Sequence, residues 1–453
     1  MTPTVVKAAD AAQFLSFVPR MLGYHPTQSL VVIPFDGGRS LGAMRFDLPD
    51  GDVEAVDRVA ATVTGMVCRL PDADAVAAIA YTDARFEDEG RMPHHELLAA
   101  LERRADACGL RVTDLLCVAA DGWGSFLDAD CPVEGRPLGE LAWSGPGDVP
   151  EPDGDQSTGA DLPDVSAEEC ELVAKALDAL DRAVSVLCGP DSAGAPTQRS
   201  PRSSRSAFGP AADAARTAEK PSDLMPGVTR PGAGPSDPTG AAGTASSSRT
   251  ADLGPVPAPV SGWTEDAASV TASSDRIDPR ALAAVCGFDD LPGFFEDALA
   301  VPPEDADPYE AAALVWCLAR PSLRDVALVQ WSGDLAQGDE AFDAQLRWES
   351  GEEYPAHLAM RMWGEGDRPQ IARLETALAR ARHAAALAPR ELRPGSLAMC
   401  AWLSWALGRS THAAAYAERA CEIEPEHGLS QIVLSFVGAG HLPDWAFRRA
   451  GAR

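Results

Sequence analysis

The chain has 453 residues, of which 45% are hydrophobic and 23% charged, and its formal net charge is -30. That length allows two or three domains with sizeable cores, while apolar stretches such as Ala75 to Tyr81 fall far short of the roughly 20 residues a bilayer core demands. So large an acidic excess repels phosphate backbones and anionic lipid, which argues against nucleic acid and membrane as partners.

The N-terminus, MTPTVVKAADAAQF, carries one lysine and then Asp10, without a small-residue cleavage site after an apolar run. It does not read as a signal peptide, and a cytoplasmic location is expected. The first helix is expected over Ala9 to Arg20. A Gly23-Tyr24-His25-Pro26 corner then leads into a strand at Ser29 to Pro34, because Gly ends helices and Pro fixes turns. A second strand is expected at Leu41 to Leu48 after Asp36-Gly37-Gly38, and a helix at Asp52 to Leu70. Next come a strand at Val76 to Thr82, a helix at His94 to Cys108 closed by Gly109, and a strand at Asp114 to Ala120. Gly122-Trp123-Gly124 reads as a bend or bulge, since no helix opens after it. Ser144 to Val165 forms an acidic loop, and Ser166 with Glu169 makes a capping pair for a long helix to Cys188.

Residues 191 to 260 hold 14 Ala, 11 Pro, 10 Ser and 8 Gly, with seven Lys or Arg against six acids. Such a segment buries too little apolar surface to offset its own ordering entropy and reads as a disordered linker. Beyond it the chain is helical throughout, with helices expected at Asp278 to Val285, Gly293 to Ala300, Pro308 to Ala319 and Ser322 to Trp331, the last capped by Ser322 and Asp325. Pro389 and Pro425 lie 36 residues apart, with Ala377 and Ala384 before the first and Ala413 and Ala420 at the same offsets before the second. Small residues there let paired helices approach closely, and Gly408 serves the turn. This segment resembles a tetratricopeptide repeat, with one half repeat, one complete repeat and a closing helix at Ser430 to Val437, although its first helix lacks that family's usual Trp and Gly. Free solenoids need about three units, so it is expected to pack on the rest of the chain.

Four parts follow: an α/β domain over 1–190 with its acidic loop at 144–165, the linker at 191–262, a helical region at 263–369 and the tetratricopeptide-like hairpins at 370–453. The expected fold is an α/β N-terminal layer with a mixed sheet in β-β-α-β-α-β order, then an all-helical part. Seven tryptophans from Trp316 to Trp445 crowd the second half, either as a large core or as an exposed patch.

No phosphate loop, nucleophile elbow, His-Glu-x-x-His or dinucleotide fingerprint occurs in the chain. Ten cysteines without a single Cys-x-x-Cys pair read as small hydrophobes rather than a zinc site or disulfide framework. Asp47, Asp50 and Asp52 lack the spacing and the distant Glu of a calcium loop, and His94 and His95 point to different helix faces. The remaining candidate is the corner, where His25, Ser29 and Arg45 line a ligand pocket, with Asp83 or Asp121 reaching in from just beyond later strands. Ligands of open α/β sheets favour that end. The other reading has His25 bonding backbone carbonyls and Ser29 capping the corner. No cofactor and no metal is expected.

The run Val18-Pro19-Arg20-Met21-Leu22-Gly23-Tyr24-His25-Pro26 leading to Ser29-Leu30-Val31-Val32, with Arg45-Phe46-Asp47-Leu48, Arg324-Asp325, Ala401-Trp402 and Pro443-Asp444-Trp445, resembles an actinobacterial family known only as domain of unknown function 4192. The resemblance implies one composite folded unit and no particular chemistry. Two functions stay open: a non-enzymatic interaction or regulatory module that uses protein partners, or a small-molecule-binding protein or enzyme with its pocket at the corner.

Overall fold

A computed structural model describes residues 8–49, 52–146, 149–189 and 277–448. The linker expected at 191–262 and Asp50 lie outside the described residues.

Helix α1 (Ala11–Leu22) begins where the Asp10 carboxylate accepts the Gln13 backbone N–H, and it ends at Gly23, whose φ of 84° suits only a residue without a Cβ. Strand β1 (Ser29–Asp36) follows the corner. The expected Leu41 to Leu48 strand is split into β2 (Arg39–Ser40) and β3 (Met44–Asp47). β2 pairs with the end of β1 and β3 with its beginning, and Gly42 at φ 123° turns the chain between them. Asp52 caps α2 (Val53–Cys68) as its position before Val53-Glu54 predicts. β4 (Ala75–Tyr81), the short α3 (Phe86–Glu89), α4 (His95–Ala107) and β5 (Arg111–Val118) complete the alternation.

Gly122-Trp123-Gly124 is not the expected bend. Trp123–Ser125 forms β6, antiparallel to β5, because the Ala119 N–H reaches the Gly122 carbonyl at 2.8 Å and closes a tight turn. A side chain at Gly124 would meet the Cys131 Sγ at 2.6 Å, so the strand needs that glycine.

The sheet is mixed, in the order β2-β1-β4-β5-β6, with β3 also paired to β1. β1 lies between β3 and β4 and is antiparallel to both, whereas β4 and β5 are parallel. β3, β4 and β5 therefore all run the same way, with α2 and α4 as their crossovers. Leu30, Val32, Ala78 and Leu115 pack under α2 and α4, and Val31, Ile33, Ile79 and Leu116 pack under α1. This is the alternation of a strand covered on both faces.

α5 (Ala167–Cys188) starts with the reciprocal Ser166 and Glu169 capping bonds. It packs into the helical core through Val173, Leu177 and Leu180, alongside α6 (Pro279–Cys286), α7 (Leu291–Ala300), α8 (Pro308–Leu318), α9 (Pro321–Ser332), α10 (Leu335–Glu349), α11 (Ala356–Met362), α12 (Ile371–Leu387), α13 (Arg393–Ala406), α14 (Ser410–Ile423) and α15 (Gly428–Gly438). Successive helices from α12 to α15 pack on one another. The tryptophans build a core: Trp331, Trp402 and Trp405 are completely buried and Trp445 nearly so.

The Ser322 and Asp325 cap does not form. α9 starts at Pro321 with no side-chain cap, and the Asp325 carboxylate instead takes the Arg324 guanidinium at 2.8 Å inside the core. Burial favours this arrangement because an unpaired carboxylate there is far costlier than an uncapped helix end.

Candidate functional site

Ser29 and Arg45 come together. Ser29 has no solvent exposure, its Oγ donates to the Thr27 carbonyl at 2.7 Å, and it accepts the Arg45 Nε–H at 2.8 Å. Arg45 Nη1 donates to Thr411 Oγ on α14 at 2.9 Å, and Nη2 pairs with Asp47. Every guanidinium nitrogen is thus engaged, and one of them joins the sheet to the helical part. Tyr24 is half buried beside this group, where burial raises its hydroxyl above the usual tyrosine range and the Arg45 charge opposes the shift.

His25, Asp83 and Asp121 form no hydrogen bond with that pair. His25 is exposed, and its backbone N–H, not its ring, is used, donating to the Gly154 carbonyl at 2.9 Å. Asp83 is exposed, and its backbone N–H reaches the Gln28 Oε1 at 3.2 Å. The Asp121 carboxylate accepts the Phe86 and Glu87 backbone N–H groups at 2.9 and 3.2 Å and so caps α3. Partial burial works to raise its pKa, but those two bonds and the nearby Arg85 hold it below the usual range.

The acidic loop is stitched down on both sides. Arg20 Nη1 takes the Pro150 carbonyl at 3.0 Å, the Asp153 N–H takes the Gly23 carbonyl at 3.1 Å, and the Gln156 side-chain amide exchanges hydrogen bonds of 3.0 Å with both backbone groups of Thr27. Farther along, Arg419 of α14 holds the Ala160 carbonyl at 3.1 Å and the Asp161 carboxylate at 3.0 Å, and Arg382 of α12 holds the Asp161 carbonyl. Residues 149–161 therefore strap the corner to the helical part.

The sheet end beside the corner carries features the sequence did not flag. Asp47, Ser29, Tyr81, Val118 and Trp123 are successive cross-strand partners, so their side chains share a face. Tyr81 and Trp123 are only 7% and 5% exposed, yet the Tyr81 hydroxyl and the Trp123 indole N–H have no partner among the described residues. Buried donors of this kind call for a water or a ligand. Gln28 and His94 flank the same end with φ of 44° and 57°, strained values for residues with a Cβ. The His94 Nε2 meets the Thr82 Oγ at 3.2 Å, and burial lowers its pKa against the opposing charge of Glu89. Tyr81 ends β4 and Trp123 opens β6, and no sequence motif marks either.

A small cavity lies elsewhere, between the sheet and α2 and α4. Its volume of about 10 Å³ is lined by Val32, Val63, Val67, Leu101 and Leu115 with Thr64, room for about one water. Among the described residues no three His, Cys, Asp or Glu side chains are grouped to hold a metal, and no helix is long and apolar enough to cross a membrane.

A third region is a surface. Leu335 and Leu346 on α10 and Met360 on α11 are exposed large apolar residues, and Asp339, Glu340 and Asp343 are exposed between the two leucines. The steps from Leu335 to Asp339, Asp343 and Leu346 are those of one helix face. His357 of α11, one turn before Met360, pairs with Glu340 at 2.9 Å.

A family model described as Domain of unknown function (DUF4192) matches residues 12–385, and the chain belongs to that family. No curated protein and no solved structure matches it.

Proposed function

We propose that the protein is a non-catalytic interaction or regulatory module of the actinobacterial cytoplasm that takes a basic, apolar segment of another protein on the α10 and α11 surface. The observation that carries this reading is the exposed stripe Leu335-Asp339-Asp343-Leu346, with Met360 exposed on α11. Exposed apolar residues within a charged rim are the composition of a protein contact. The corner supports the same reading, because Ser29 and Arg45 are spent on holding the sheet and α14 together. In this reading α12–α15 form a tetratricopeptide-like piece that packs on the rest of the chain rather than a free superhelix.

The test is affinity capture from cell extract with wild type, Asp339→Lys/Asp343→Lys and Leu346→Asp, all at exposed positions. Wild type should retain a partner that both variants lose, and about 1 M salt, where the screening length falls to about 3 Å, should release it. Identical captures by all three proteins would defeat the proposal.

The unpartnered Tyr81 and Trp123 donors favour a second reading, a small-molecule site at the sheet end beside the His25 and Ser29 corner. A ligand at about 100 times its dissociation constant adds about 2.7 kcal/mol of stability. A thermal-shift screen of nucleotides, sugars, amino acids and divalent metals should then show a shift that Tyr81→Phe and Ser29→Ala abolish. A flat screen removes this reading.

A further inference from the structure

The ten cysteines divide by position. Cys117, Cys317 and Cys400 are buried, as a small hydrophobe should be, but Cys68 and Cys108 are exposed. Topology brings these two side by side. α2 and α4 are crossovers between strands that run the same way, and both lie in one core on one face of the sheet, α2 through Val63 and Val67 and α4 through Leu101 and Ala105. Two such helices run in the same direction and end at the same edge of the sheet. Cys68 is the last residue of α2, and Cys108 is the C-cap of α4. Arg104 and Asp57 bridge the two helices at 3.7 Å, and Cys68 and Cys108 are near enough for Cys108 to help raise the Cys68 thiol. A disulfide needs Cα atoms within about 7 Å, a spacing that facing positions on packed helices reach.

We infer that Cys68 and Cys108 form a redox-active dithiol that closes to a disulfide at the expense of a low-molecular-weight disulfide of the glutathione type. One thiolate attacks the S–S bond of the oxidant, forming a mixed disulfide and releasing one small thiol. The second thiolate then attacks the protein-bound sulfur and releases the other. One S–S bond is broken and one formed, two electrons pass from the protein to the oxidant, and both protein thiol protons end on the released small thiols.

The surroundings make this a slow latch. Burial, and then the neighbouring Cys108, raise the Cys68 thiol above the usual cysteine range, and the carbonyl end of α2 disfavours a thiolate there. A thiol of this kind is slow to attack and poor to leave, so the bond forms slowly and resists reduction once made. It would also fix a part of the molecule that carries a load. The turn that holds Cys68 and Arg69 seats the C-terminal segment, where Arg69 pairs with Asp444 at 2.8 Å and lies 3.9 Å over the Phe447 ring.

The test treats the reduced full-length protein with glutathione disulfide, alkylates the remaining thiols and maps the peptides by mass spectrometry. Wild type should yield a peptide linking Cys68 to Cys108 and lose two alkylatable thiols. Cys68→Ser should leave Cys108 alkylated or singly glutathionylated, with no linked peptide. Recovery of both cysteines from wild type as separate alkylated or glutathionylated residues overturns the inference. As a second readout, oxidation should raise the melting temperature of wild type by a few degrees and leave Cys68→Ser/Cys108→Ser unchanged. An equal shift in both proteins also overturns it.

Discussion

His427 shows how one residue sets a pH limit on the fold. It is 7% exposed on the core side of α15, where its Nδ1 meets the Ser430 Oγ at 3.0 Å and its Nε2 faces the Arg324 Nη1 at 3.3 Å. Burial, and then the Arg324 charge, push its pKa down to about 3. The folded state therefore keeps the ring neutral, while an unfolded chain binds a proton near pH 6.5. Stability from this residue is fully present above pH 6.5 and is lost as pH falls toward 3, at about 1.4 kcal/mol per unit. Denaturant melts from pH 7 to 4.5 should show a steeper loss in wild type than in His427→Gln, and parallel curves would refute this. Arg45 is a second residue of this kind. Arg45→Ala leaves the buried Ser29 and the partly buried Thr411 short of a partner and should cost about 1–3 kcal/mol, readable as a fall in melting temperature with native circular dichroism retained.

At the scale of elements, close approach decides more than propensity does. A Cβ at Gly395 of α13 would sit 2.0 Å from the Leu318 carbonyl oxygen at the end of α8. Gly395→Ala, mild by helix propensity alone, should therefore destabilise by more than about 2 kcal/mol, and a neutral result would show that α8 and α13 can move apart. The same scale explains what could be read in advance. Asp10, Asp52, Gly23 and the Ser166 and Glu169 pair act where their chemistry says they should, because a cap is a local arrangement. β6 was illegible because all three of its residues flank or are glycine, and its pairing depends on the Gly122 turn and the room left by Cys131. The acidic strap was illegible for a different reason. Its composition is that of a solvated loop, but it is held through backbone carbonyls by Arg20, Arg382 and Arg419, and a carbonyl leaves no mark in a sequence. At the candidate site, the Ser29 and Arg45 pair follows from strand register, whereas Thr411 lies 366 residues beyond Arg45.

Across the whole molecule, the described residues fall in one compact unit that includes chain from both sides of residues 190–276. Arg45 with Thr411, Arg419 with Asp161 and Arg69 with Asp444 join the α/β and helical parts. Unfolding should accordingly be one transition, with near-ultraviolet signals from the helical core and far-ultraviolet signals coincident. Two separate transitions would show that these joints are weaker than either part.

Those joints also set a timetable. The Arg69 and Asp444 contact spans 375 residues and the Arg419 and Asp161 contact spans 258, so loop closure this long must precede much of the native packing. A ribosome adding about 5–20 residues per second exposes the corner, the strap and the sheet many seconds before α14 and Asp444 emerge. During that interval the strap has nothing to bind on its far side. The nascent chain must wait, with its sheet made and its fastening unmade, until α14 and Asp444 have been made.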